Sequence, residues 1–279
     1  MPHKFWKVTP GGNPTILLRA EDVPAPRRAF VANAVMDAQH IGGEQVGYVR
    51  LEGVPRLDMM GGEFCLNATR AFASVLDSLG LLERDGNVSH GLVEVSGVSD
   101  KVAVRVTHGE GLPFAEACLH FDSLPEPEAL GDTLSIVRVP GITHLVQLGS
   151  APERPALEAF CAEQRHALSL EGEEAVGHLW MEVKAGNTAE AQIRTLTLEP
   201  VVWVQATATL CFESACGSGT LACALAEHAK SGATQFSIFQ PSGTPLSVRM
   251  ERAEKGWAVW VGGPSRITAS GMTDLSGIL

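Results

Sequence analysis

Alternation of apolar and polar residues over short runs dominates this chain, and helical spacing appears in only a few places. In the first half, Lys4 to Lys7 and Thr15 to Leu18 read as strands on either side of a turn at Gly11-Gly12-Asn13-Pro14. Arg27 to Met36 has helical spacing, and Val46 to Leu51 alternates as a half-buried strand does. A helix over about Asn67 to Leu79 follows Cys65, and Gly91 to Ser96, Lys101 to Thr107 and Phe114 to Phe121 read as strands. The second half has the same order. Leu134 to Val139 and His144 to Leu148 are strands around Pro140-Gly141, and Ala156 to Leu168 is helical. Leu179 to Val183, Ile193 to Leu198, Val201 to Gln205 and Thr207 to Phe212 are strands. They lead into a helix at about Ser218 to Ser231, closed by Gly232 as a C-cap, and Phe236 to Phe239, Leu246 to Met250 and Ala258 to Val261 complete the pattern.

The repeat is sharpest at two motifs, Cys65-Leu66-Asn67-Ala68-Thr69 and Cys216-Gly217-Ser218-Gly219-Thr220. Both have the form Cys-x-(Asn/Ser)-small-Thr, follow closely on a Glu and open a helix, as an internal duplication gives. The second of these helices carries small or apolar residues on every side, so its own sheet wraps it. The fold class expected is α+β, with two pseudo-symmetric domains, each a mixed sheet or barrel around a central helix. The acidic, proline-rich stretch at Ser123 to Glu128 suits a link, which places the domains at 1–128 and 129–264, with a tail over about 265–279 returning to the first.

Composition narrows the function. The chain has 279 residues, 45% of them hydrophobic, enough for two small cores. A formal net charge of -11 argues against nucleic acid or an anionic membrane surface, both of which reward clustered Lys and Arg. No apolar run approaches the ~18 residues needed to span a bilayer, and the start lacks a signal-type apolar region, so a soluble cytoplasmic protein is expected. Six cysteines are spread without CxxC or zinc-ligand spacing, so neither a disulfide scaffold nor a metal is indicated. The expected partner is a small molecule, with a homodimer left open.

A thiol just ahead of a helix start meets free backbone N–H groups and the helix dipole, which favour thiolate and predict a pKa lowered toward neutrality. The N–H groups of Leu66, Asn67, Gly217 and Ser218 form a place for a carboxylate. One thiol on each side of an amino acid's α carbon makes a two-base racemase, Cys65 and Cys216 exchanging the roles of acid and base. Cys118, Cys161, Cys211 and Cys223 lie on apolar strand or helix faces and read as packing residues.

FCLNATR, SACGSGT and the early GGNPT resemble diaminopimelate epimerase and its relatives over nearly the whole chain. That resemblance implies two domains with central helices, no pyridoxal phosphate or other cofactor, catalytic roles for Cys65 and Cys216, and substrate-carboxylate binding by Leu66, Asn67, Gly217 and Ser218, with Asn13 contributing. Leu66 replaces a family glycine, so its part rests on its backbone N–H. The segments that grip a distant carboxylate in those epimerases differ: Gly141-Ile142-Thr143-His144 replaces Gly-Asn-Pro-His, Leu179 to Val183 has no Asn, and Gln205 to Thr209 has no Glu-Arg pair. GGEFCLNATR and Gly43-Glu44-Gln45-Val46-Gly47-Tyr48 are more similar to the histidine racemases of metallophore (opine) pathways. On that resemblance Glu44 would accept an imidazole N–H and His144 would touch substrate. The proline racemase branch fits less well, having His where this chain has Asn67, and the phenazine-biosynthesis branch lacks the cysteine pair. Diaminopimelate epimerisation is the nearest alternative. Readings of another class are a cysteine hydrolase, with Cys216 as nucleophile and His144 or His178 as base, and a non-catalytic amino-acid-binding protein.

Overall fold

The computed structural model describes residues 2–184, 193–205 and 208–279. It divides into two compact units, Met1–Leu119 with Gly262–Leu279, and His120–Val261. The first contains β1 (Pro2–Thr9), β2 (Thr15–Arg19), α1 (Arg28–Met36), β3 (Gln45–Arg50), β4 (Arg56–Met59), α2 (Leu66–Ser78), β5 (Glu83–Asp85), β6 (Val88–Val95) and β7 (Val102–Thr107), with β8 (Phe114–Phe121) at its end. The second contains β9 (Glu128–Leu130), β10 (Leu134–Val139), β11 (Ile142–Leu148), α3 (Arg154–Ala167), β12 (Ala175–Val183), β13 (Arg194–Val204), β14 (Thr209–Phe212), α4 (Gly217–Ser231), β15 (Gln235–Phe239) and β16 (Pro245–Arg252), followed by β17 (Trp257–Pro264). The last strand, β18 (Arg266–Asp274), returns to the first unit and pairs antiparallel with β1 along its whole length.

The pairings repeat. In the first unit β1 and β2 are antiparallel, β2 and β3 parallel across α1, β3 and β4 antiparallel, β4 and β6 parallel across α2, and β6 and β7 antiparallel. In the second, β10 and β11 are antiparallel, β11 and β12 parallel across α3, β12 and β13 antiparallel, β13 and β15 parallel across α4, and β15 and β16 antiparallel. A parallel pair needs a crossover, and in each unit one crossover helix packs outside the sheet while the other fills its interior.

Period-two alternation decides which residue meets which helix. Ile16, Leu18, Val46 and Tyr48 pack on Val31, Ala32 and Val35 of α1. Residues one step out of phase face the opposite side, where α2 lies against β1, β2, β4, β7 and β18. Every residue of α2 from Leu66 to Leu76 is buried. Phe72 alone, with no exposed surface, contributes roughly 2–3 kcal/mol by its removal from water. In the second unit Leu157 and Cys161 of α3 pack on Trp180 and Val201, and α4 lies against β10, β11, β12, β13 and β16. α4 ends at Gly232, whose φ of 72° gives the left-handed cap.

Three expectations about strands change. Ile193 to Leu198 and Val201 to Gln205 are one strand, β13, running through Pro200. The carbonyl of Pro200 accepts from Glu213 on the β14 side, so the proline's missing N–H falls on that side and the ladder to β12 is uninterrupted. β18 carries no apolar alternation, because most of its side chains are exposed and its pairing with β1 is carried by the backbone. The strand expected from Thr207 begins at Thr209, and Ala206 and Thr207 lie outside the described residues. All six cysteines are free, and no helix among the described residues is long and apolar enough to cross a membrane.

Candidate active site

Cys65 and Cys216 occupy the same local structure, one in each unit. Each is the residue before a helix, extended at φ -132° and ψ 110° for Cys65 and φ -125° and ψ 107° for Cys216. Each thiol accepts the backbone N–H three residues on, from Ala68 at 3.4 Å and from Gly219 at 3.3 Å. Each cysteine carbonyl accepts the hydroxyl of the motif threonine, Thr69 at 2.8 Å and Thr220 at 2.6 Å. The sulfurs therefore take the place that Ser or Asp takes at ordinary helix starts.

In the first unit a hydrogen-bond chain ties the thiol to the early turn. The Cys65 thiol donates to Gln45 Oε1 at 3.3 Å, Gln45 Nε2 donates to Thr15 Oγ1 at 2.7 Å, and Thr15 Oγ1 donates to the Asn13 carbonyl at 3.1 Å. The register makes this reachable, since Thr15 and Gln45 are partners on the parallel strands β2 and β3. Asn13 is buried with φ of 45°, in the left-handed region that Asn tolerates. Glu44 is exposed, and its N–H donates to the Pro14 carbonyl at 2.8 Å. Leu66 and Asn67 are buried in the first turn of α2, and Asn67 Oδ1 accepts from Arg70 Nη1 at 3.2 Å. Thus one hydrogen-bond chain joins Cys65 to Asn13, Glu44 adjoins it through the Pro14 carbonyl, and Leu66 and Asn67 follow Cys65 on α2, Asn67 being tied to Arg70. Gln45 was not picked out from sequence; its place beside Glu44 at the start of an alternating strand was the available signal.

In the second unit Gln240 braces the cysteine. Its Oε1 accepts the Cys216 N–H at 3.0 Å, and its Nε2 donates to Thr220 Oγ1 and the Ile238 carbonyl, both at 3.0 Å. Gly217 opens α4 and is buried, and Ser218 Oγ lies 3.5 Å from the Cys216 sulfur. The expectation of a thiol pKa lowered toward neutrality fails at Cys216, which is pushed up to about 12. Burial is the largest cause and the Glu213 carboxylate the next, and together they outweigh the hydrogen bonds from Ser218 and Gly219 that favour thiolate. Cys216 is therefore a thiol at neutral pH in the substrate-free protein.

His144 lies on β11 with no exposed surface, its ring packed over Gly177 and neither ring nitrogen hydrogen-bonded. Burial, then the charge of His178, lowers its pKa to about 3. His178 has one ring nitrogen 3.3 Å from Arg165 and the other 3.1 Å from Gln164. Neither histidine is placed as a poised base for Cys216, which removes the geometric support for a hydrolase.

The family model described as histidine racemase CntK N-terminal domain matches residues 3–273. The chain belongs to that family. It is accordingly an amino-acid racemase. The histidine racemase of Fusobacterium nucleatum subsp. nucleatum is 28% identical over 271 residues, covering 96% of this chain and 95% of that protein. The histidine racemase of Staphylococcus aureus is 25% identical over 289 residues, covering 96% of each. Among solved structures, a hydroxyproline epimerase from Agrobacterium vitis aligns with a TM-score of 0.65 at 9% identity, covering 98% of this chain and 91% of that one. A phenazine biosynthesis protein of the PhzF family from Enterococcus faecalis aligns with a TM-score of 0.60 at 15% identity, covering 99% and 100%. The two structural likenesses are of fold.

Proposed function

We propose that this protein interconverts the enantiomers of free histidine, without metal or pyridoxal, by a two-base mechanism in which Cys65 and Cys216 are the acid and base. The observation that carries the reading is the matched geometry of Cys65 and Cys216 at two helix starts. Cys65, as thiolate, takes the α proton, and Cys216, as thiol, gives its proton to the opposite face. Turnover leaves Cys65 protonated and Cys216 as thiolate, the form that meets the other enantiomer. The backbone N–H groups of Leu66 and Asn67 and of Gly217 and Ser218 hold the substrate carboxylate while it gains enolate character, and Asn13 completes that rim. Glu44 and His144 are assigned to the substrate side chain, Glu44 as acceptor for an imidazole N–H. Histidine is favoured by the family and by the absence of an Asn for a distant carboxylate on Leu179 to Val183.

The test is a panel of amino acids in deuterium oxide, read by proton NMR and chiral chromatography. Histidine should exchange its α proton and racemise fastest, with no loss on adding chelator. Turnover of LL-diaminopimelate above every monocarboxylic amino acid would reassign the substrate. Cys65→Ser and Cys216→Ser should each abolish racemisation, while one still exchanges L-histidine slowly and the other D-histidine. Full racemisation in either variant rejects the two-base reading.

A further inference from the structure

Among the described residues, Arg70 is the largest side chain with no exposed surface. It stands on α2, three residues beyond Asn67, and a buried guanidinium is costly to desolvate unless it is well bonded. Its Nε donates to the Ala115 carbonyl at 2.9 Å, and its Nη1 donates to the Pro10 carbonyl and to Asn67 Oδ1, both at 3.2 Å. Among the described residues no carboxylate forms an ion pair with it, and its Nη2 has no hydrogen-bond partner. Burial lowers its pKa to about 10, partly offset by Glu116 and then Cys65, so it remains charged at neutral pH. An apolar residue could fill this volume more cheaply, so the charge has a use other than packing.

The three contacts show that use. Pro10 opens the turn that carries Asn13, and Asn67 belongs to the other side of the same rim. A guanidinium has donors only, so it fixes which end of the Asn67 amide faces it: Oδ1 turns toward Arg70 and the NH2 end turns the other way. We propose that Arg70 is a positioning residue for substrate binding, holding Asn67 with its amide donors directed to the substrate carboxylate and holding the Pro10–Asn13 turn in register with it. This rests on the reading of Asn13 and Asn67 as substrate-binding residues. Lysine keeps the charge but has no rigid fork, so it cannot hold Pro10, Ala115 and Asn67 at once.

The experiment is a double-mutant cycle of Arg70→Lys, Asn67→Ala and both together, with kcat and KM for histidine racemisation and circular dichroism as the check on folding. Asn67→Ala should raise KM about tenfold or more, the effect of losing one charge-assisted hydrogen bond. Arg70→Lys should raise KM about as much with kcat little changed, and the double variant should fall well short of the product of the two effects. A wild-type KM in folded Arg70→Lys, or fully multiplicative effects, overturns the proposal. An unchanged KM in Asn67→Ala also overturns the proposal, because it leaves the side chain that Arg70 holds without a part in binding and the backbone N–H of Asn67 as that residue's contact with substrate. If Arg70→Lys does not fold, the unaltered protein decides. The Arg70 Nε–H signal, assigned by triple-resonance NMR, should shift on saturation with histidine. A fixed Arg70 signal while the Leu66 and Asn67 amides respond overturns the proposal.

Discussion

Acid should destabilise this protein through two neutral histidines. His144 and His178 sit on adjacent strands, one step out of register, and the pKa of each is lowered to about 3, by burial first and by a neighbouring positive charge second. An unfolded imidazole binds its proton near pH 6.5, so between that value and about 3 the unfolded chain holds more protons than the folded one. Stability therefore falls as the pH drops through this window. From pH 7 to pH 5 each histidine removes about 2 kcal/mol, or about 4 kcal/mol for the pair. Against a typical total of roughly 5–15 kcal/mol, that is a large share. Urea titrations followed by tryptophan fluorescence at pH 7, 6 and 5 would measure it, since Trp180 lies with its ring 6.5 Å from that of His178. His178→Gln should lose about half of this pH dependence, and His144→Asn with His178→Gln most of it. Either ring titrating above pH 5 by NMR, or an unchanged slope in the double variant, would refute the reasoning.

Alkylation of Cys216 by iodoacetamide in the substrate-free protein should keep accelerating above pH 10, read by peptide mass spectrometry, and Glu213→Gln should bring the rate rise to lower pH by removing a charge that opposes thiolate. A plateau near pH 8 would contradict both. Gly97→Ala should cost about 3 kcal/mol in stability and lower kcat, because an added Cβ would lie 2.3 Å from the Phe64 nitrogen, next to Cys65, at a φ of 78°; thermal denaturation and initial rates check it. Gln240→Leu should leave the Cys216 N–H buried without its acceptor, costing about 1–3 kcal/mol and slowing racemisation, as urea unfolding and kinetics would show.

Much of the fold was legible because the cues were local. Short alternating runs marked most strands, and the all-round apolar or small surface of Thr220 to Ala226 marked a helix enclosed by its sheet. What was hidden depended on partners distant in sequence. Ile193 to Leu198 and Val201 to Gln205 read as two strands, and only β14 shows which side the missing N–H of Pro200 faces. β18 is polar enough to pass for a tail, and only β1 makes it a strand. At the candidate site the two cysteine motifs could be read from their form, whereas Gln45, Gln240 and Arg70 depend on strand register and helix position. The raised pKa of Cys216 was missed because a helix start predicts its dipole but not the depth of burial or the nearness of Glu213.

The return of β18 to β1 also sets an order of assembly. The second unit is one continuous stretch, His120–Val261, while the first is made of two stretches that flank it. During synthesis the second unit emerges entire before Gly262–Leu279 exists, so it can close on its own strands while the first still lacks the partner for β1. Arg27, whose guanidinium donates to the Ile278 carbonyl at 2.6 Å, waits for an acceptor that stands 251 positions further along the chain. The Cys65 half, though translated first, is completed last.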